Sequence, residues 1–271
     1  MSTHHTETST LSNPFQTARL FRIITGVEND KAPREAIRRR EKPKSEGFTQ
    51  NDLSIVNERI MHGTEKEIMM GAAAALLYGA ALRPNEALGN RTKEPLRTNQ
   101  VHFFASRSDK QPMIIPSSAR SNDQPAPHHI IIELHGSKTN QLHREENLVY
   151  TESLAIGMIW RWMRIRRERP SGTLDPFLFT LPTRNPSTTE SRRLNGRTLI
   201  DFLRIVVAER QRRPHWTPKC FRIGATSDFH ASGADPAGLR YLGRWRTNIW
   251  QTYADTRSHI ERAIAARTIK K

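Results

Sequence analysis

A small set of side chains stands out because their types can carry phosphoryl-transfer chemistry. Arg83 lies in ALRPNEAL, with Glu86 three residues on. Lys138 lies in HGSKTN, Lys219 and Arg222 share TPKCFRIGAT, Arg244 and Trp245 share LGRW, and Tyr253 lies in IWQTYADT. Breaking and rejoining a phosphodiester without a metal or a nucleotide cofactor makes three demands. A nucleophile must attack phosphorus and form a covalent ester that stores the bond energy. Cations must hold the non-bridging oxygens as charge develops, and an acid must protonate the leaving hydroxyl. Arginine suits the second task because its planar fork binds phosphate oxygens bidentately and stays charged. Lysine suits the third when neighbouring cations lower its pKa. Lys219 and Arg222 are three residues apart, so a helix would place them on one face.

Elements must carry these groups, and the pattern predicts which. Asn51-Asp52 can cap a helix running through Val56, and an apolar helix spans about 65–80, ending just before Arg83. Strand-like stretches follow at 100–105, 129–134 and 144–150. The last two flank HGSKTN, which places Lys138 at a hairpin tip. Helices are expected near 152–168, 196–211, 219–232, 235–243 and 247–266, separated by polar loops at 106–127 and 183–195. The expected class is α+β, a mostly helical domain with a small antiparallel three-stranded sheet. Residues 50–271 form that domain; residues 1–49 read as a polar tail, a short helical segment and a basic linker. Trp160, Trp162 and Trp250 are expected in core or interface positions, and Tyr78 in the core. Arg161, Arg164, Arg166 and Arg167 either line a polyanion or are solvated.

Composition bounds the partners. The 271 residues hold 43 Lys and Arg against 27 Asp and Glu, a net charge of +16. Such an excess favours nucleic acid, because cation–phosphate contacts release counterions. One cysteine, Cys220, excludes an internal disulfide framework and a cysteine-based zinc cluster. His128, His129, His135, His143 and His215 show no metal-ligand spacing. The longest apolar run, Ile68 to Leu82, is shorter than the roughly 20 residues of a membrane span and contains two glycines, so it reads as a buried helix.

Taken together, the boxes resemble the tyrosine recombinases, and look closest to those of DIRS-like and Crypton-like mobile elements. ALRPNEAL resembles the family's first arginine box, with Glu86 at its acidic position, and GSKTNQ is similar to its hairpin-lysine turn. KCFRIGAT, SGADPAGLRYLGRW and then Tyr253 resemble the second box through to the nucleophile. The likeness covers about residues 50–260, with four boxes in order. It implies that Tyr253 attacks the scissile phosphate to form a 3′-phosphotyrosyl link. Arg83 and Arg222 would clamp the phosphate, Lys138 would protonate the 5′ oxygen, and Glu86 would be supporting structure. No metal, ATP or small-molecule cofactor is required. The implied partners are double-stranded DNA and further copies of the chain. Localisation would be nuclear in a eukaryotic element, and cytoplasmic or nucleoid otherwise. Family members clamp DNA with an N-terminal helical domain, of which residues 1–49 would be a short remnant.

Two positions depart from the pattern. Lys219 stands where the family usually has His; type IB topoisomerases use K-x-x-R there with the same chemistry. The family's His/Trp position falls on Arg244 when aligned on Gly243, and on Trp245 when aligned on residue type. Two rivals to a recombinase remain: a non-catalytic DNA-binding remnant of a mobile element, and a type IB-like topoisomerase acting as a monomer.

Overall fold

The computed structural model describes residues 45–115, 126–135, 145–150, 153–168, 176–181, 192–208, 215–245 and 247–253. The expected tail, helical segment and linker over 1–49 fall outside these residues except for Ser45–Thr49.

Two capping boxes start the first helices. Helix α1 (Gln50–Arg59) is capped by Thr49, whose backbone N–H donates to Asp52 Oδ2 at 2.8 Å while the Asp52 N–H donates to Thr49 Oγ1 at 3.2 Å. The cap is therefore two residues before Asn51, because Asp52 serves as the reciprocal N3 partner. Thr64 and Glu67 repeat the device ahead of α2 (Glu65–Gly79). Helix α2 is apolar on every face from Ile68 onward, and every residue from Ile68 to Gly79 is buried, as expected for a helix that other elements surround. It packs on α4 (Ser153–Arg167) and α6 (Cys220–Ala231). Tyr78 is in this core, and its hydroxyl donates to Asp228 Oδ2 at 2.7 Å.

Strands β1 (Val101–Phe104), β2 (His129–His135) and β3 (Glu145–Tyr150) form an antiparallel sheet in that order, with Val101 opposite Ile132 and Ile131 opposite Val149. The three-stranded sheet is the one expected. The period of two places Ile130, Ile132 and Leu134 in the core, and Phe103 meets Trp160 of α4 edge-on at 4.8 Å. The β2–β3 connection, with Lys138, lies outside the described residues. A second ladder, β4 (Thr180–Leu181) with β5 (Arg192–Arg193), was not anticipated. It leads into α5 (Gly196–Ala208).

Some expectations need correction. Arg166 is buried, and its guanidinium donates to Leu178 O and Thr98 Oγ1, each at 3.2 Å. Arg161 donates to the carbonyls of Ile60 and Met61 at the end of α1. Both satisfy backbone or hydroxyl oxygens, Arg166 away from solvent and Arg161 half-buried. The expected 247–266 helix is a 3-10 helix over Asn248–Thr252, and its continuation past Tyr253 lies outside the described residues. Trp160, Trp162 and Trp250 are buried as expected.

Ser45–Thr49 is packed into this body. The Phe48 N–H donates to Cys220 O at 2.9 Å, and the Phe48 ring sits among Tyr78, Trp216 and Phe221. Gly224 permits this: a Cβ there would overlap the Phe48 carbonyl. Leu239, Trp245 and Trp250 make a second, smaller cluster with Phe229, Ala234 and Tyr253 packed against it. Among the described residues no helix is long and apolar enough to cross a membrane.

Candidate functional site

Arg83 is placed by the way α2 ends. The chain turns through Ala81, which holds a left-handed φ of 45°, and the Leu82 N–H donates to Leu77 O at 2.9 Å. Pro84 then opens the short helix α3 (Pro84–Ala87), where its fixed φ fits the first position. The Arg83 N–H donates to Glu86 Oε2 at 2.7 Å and its Nη1 donates to Glu86 Oε1 at 3.0 Å. Glu86 is thus a hub beneath Arg83, with its side chain only 4% exposed.

Arg222 arrives from α6. It lies one turn into the helix, is 2% exposed, and donates through Nη2 to Gly243 O at 2.5 Å. The third arm comes from α7 (Pro236–Gly243), capped by Asp235, which accepts from the Gly238 N–H. This helix ends with Arg244 in the left-handed region, φ 54° and ψ 45°. The reversal sends consecutive side chains to different partners. Arg244 Nη2 donates to Glu86 Oε2 at 2.5 Å, with both side chains nearly sealed from solvent. Trp245 folds back over Gly243, where a Cβ would overlap the indole ring. Gly243→Ala should therefore displace Trp245. A destabilisation of about 1–3 kcal/mol is expected, as for other overpacked sites, read by thermal unfolding together with a change in tryptophan emission.

Trp245 joins the arginines to the tyrosine. Its ring stacks on Tyr253 with centroids 5.1 Å apart and planes 26° apart, and the Arg222 guanidinium carbon lies 5.0 Å from the same indole. Tyr253 follows the Asn248–Thr252 turn directly, its N–H donating to Trp250 O at 2.9 Å. Its carbonyl accepts from Ser227 Oγ at 3.4 Å, which ties the turn to α6.

Three guanidinium groups thus surround one carboxylate. Burial works to raise the Glu86 carboxyl, but Arg244, the Arg83 N–H, Arg222 and Arg83 together outweigh it and hold it below the usual carboxylate range. Arg222 is pushed down to about 10, first by burial and then by Arg83 and Arg244. It remains charged at neutral pH. Its Nε and Nη1 are buried with no hydrogen-bond partner among the described residues. Buried cationic donors left open beside other cations form a site suited to an anion with several acceptor oxygens.

Of the residues singled out by sequence, the structure brings together Arg83, Glu86, Arg222, Arg244, Trp245 and Tyr253. Lys219 stands exposed at the start of α6, its backbone N–H donating to Thr217 Oγ1 at 3.4 Å, and among the described residues no hydrogen bond or ion pair links it to the cluster. Lys138 lies outside the described residues. Two supports went unnoticed in the sequence: Gly243, whose carbonyl holds Arg222, and Ser227. The glycine directly before Arg244-Trp245 was the available signal for the first.

No family model and no curated protein matches the sequence. Solved structures do match the fold. XerA recombinase superposes with a TM-score of 0.52 at 11% identity, over 83% of this chain and 66% of that one. XerH site-specific recombinase, in a post-cleavage complex with a palindromic difH substrate, gives 0.51 at 11% identity over 83% and 54%. XerH in a pre-cleavage complex with difH gives 0.50 at 13% identity over 82% and 55%. The chain spans just under two thirds of the first of these and little more than half of the others. The likeness shows the fold, that of the recombinase and integrase catalytic domain.

Proposed function

We propose that this chain cuts and rejoins duplex DNA through a covalent ester on Tyr253. The observation that carries the reading is the pairing of Arg83 and Arg244 with Glu86, with Arg222 acting on the same carboxylate through its charge and Trp245 joining Arg222 to Tyr253. In this reading the Tyr253 oxygen attacks the scissile phosphorus as its proton leaves. A 3′-phosphotyrosyl bond forms and the bond to the 5′ oxygen breaks. Lys138 gives that oxygen its proton. Arg83 and Arg222 meet the developing charge on the non-bridging oxygens. Arg244 holds Glu86, and Trp245 orients the tyrosine. A 5′ hydroxyl from a partner strand reverses the steps, so the number of phosphoesters is unchanged.

Exchange between two duplexes needs a tyrosine for each cut strand, so the working species on DNA is a multimer. The resemblance of the boxes to DIRS-like and Crypton-like recombinases extends the reading to integration of a mobile element.

The test is covalent trapping. Labelled, nicked duplexes from the flanks of the gene are incubated with protein in the presence of a chelator and then denatured. The expected result is protein-linked DNA with a free 5′ hydroxyl on the released strand. Retained, salt-sensitive DNA binding with no linked product on the cognate site would replace this reading with that of a non-catalytic DNA-binding remnant.

A further inference from the structure

A run of exposed arginines leads away from the cluster along one connected stretch of backbone. Arg97 forms a bridge with Phe177, the Thr98 N–H donates to Pro176 O at 2.9 Å, and the Leu178 N–H donates to Leu96 O at 2.8 Å. Three residues beyond Phe177, Thr180 pairs with Arg193 in the β4–β5 ladder. The Phe177 ring is shared: the Arg193 guanidinium carbon lies 4.7 Å from its centroid and that of Arg97 lies 5.6 Å away. From Arg193 the chain enters α5 at Gly196. A methyl built on Gly196 would sit 3.3 Å from Pro84 Cβ and 3.8 Å from Pro218 Cβ. These prolines directly follow Arg83 and directly precede Lys219. Arg97, Arg193, Arg197 and Lys219 are all exposed. Of the nearby carboxylates, Asp201 is engaged with Arg204 at 3.2 Å, and Glu94 pairs with Arg97 at 2.9 Å through an exposed contact that a phosphate must displace.

We propose that Arg97, Arg193 and Arg197 form a track for the DNA backbone, holding phosphates that flank the one at the Arg83–Arg222 cluster. The inference rests on the strand-cleavage reading and adds to it where the duplex lies. A ring flanked by two guanidinium groups restricts where they point, so less rotamer freedom is lost when they meet phosphates. The contacts fix position and carry no sequence preference. Lys219, exposed at the start of α6, falls at the end of this track beside Pro218.

The test is the salt dependence of binding to a duplex containing the cognate site. Each phosphate contact contributes about 0.9 to the slope of log K against log salt. Arg193→Ala with Arg197→Ala should make the slope shallower by about 1.8 and weaken binding equally on unrelated duplexes. Lys66→Ala removes an exposed cation at the opposite end of α2 from Arg83, and should leave the slope unchanged. Arg193→Lys with Arg197→Lys keeps the charges and should retain most of the slope. An unchanged slope in the alanine pair, with wild-type binding and trapping intact, overturns the track and leaves the cleavage reading standing. The same holds if the lysine pair behaves like the alanine pair, since loss would then come from disturbed packing on Phe177. Wild-type protein that binds no DNA overturns both.

Discussion

Tyr253→Phe is expected to abolish covalent capture of DNA while leaving binding and folding nearly untouched. Phenylalanine keeps the ring that stacks on Trp245 at 5.1 Å, so Trp245 stays between it and Arg222. It removes only the oxygen that would bond to phosphorus. Loss of a covalent nucleophile lowers turnover by roughly 10⁴-fold or more, because the remaining binding groups supply only the residual acceleration. Linked product should fall below detection at protein concentrations that saturate the duplex. Affinity should stay within a factor of about two, because it comes from cation–phosphate contacts that the variant retains. A linked product that persists in Tyr253→Phe would place the nucleophile elsewhere and remove the role assigned to this tyrosine. Trp245→Ala makes a useful companion. It takes away the stacking partner but leaves the hydroxyl, so capture should slow without vanishing.

Some of this was legible in sequence and some was not, for physical reasons. The apolar run from Ile68 to Leu82 admitted one reading because nothing along it could face water. The alternating Ile130, Ile132 and Leu134 similarly identified a strand with one face in the core. Arg83, Arg222 and Tyr253 could be selected by type and order. What stayed hidden depends on backbone reversals and on packing at a distance. Nothing in LGRW announces that Arg244 takes a left-handed conformation, so the question of whether Arg244 or Trp245 serves the site had no answer in sequence. In the structure the two side chains go different ways: Arg244 donates to Glu86 and Trp245 stacks on Tyr253. Lys219 and Arg222 were paired by helical spacing, yet Lys219 sits at the helix boundary and stays in solvent while Arg222 is buried. Arg166 read as a surface charge because its partners are set by the fold: Leu178 O lies twelve residues on and Thr98 Oγ1 lies 68 residues back.

Glu86 shows most clearly how stability and chemistry share the same atoms. Its carboxylate binds the Arg83 backbone, the Arg83 side chain and Arg244. Glu86→Gln keeps the shape and removes the charge, leaving Arg244 sealed from water near Arg83 and Arg222 without the Glu86 carboxylate. Removing one partner of a buried ion pair costs about 3–5 kcal/mol. At roughly 2–4 °C per kcal/mol for a domain of this size, the melting temperature should fall by about 6–20 °C. The pH dependence gives an independent check. The folded-state carboxyl lies below its ordinary value, so its contribution is fully present above the unfolded pKa of about 4.3 and is lost as pH falls through the folded value. The gap in stability between wild type and Glu86→Gln should therefore be wide at pH 7 and close as pH drops below about 4. A gap that does not change with pH would mean that shape, and not charge, explains the loss. Adding Arg244→Met to Glu86→Gln removes the cation that lost the Glu86 charge, so the double variant should be more stable than the sum of the single effects. Its strand cleavage should remain impaired, because Arg83 would still lack the carboxylate that fixes its guanidinium. A stability rescue without a catalytic rescue would separate the two roles of Glu86 in a single experiment.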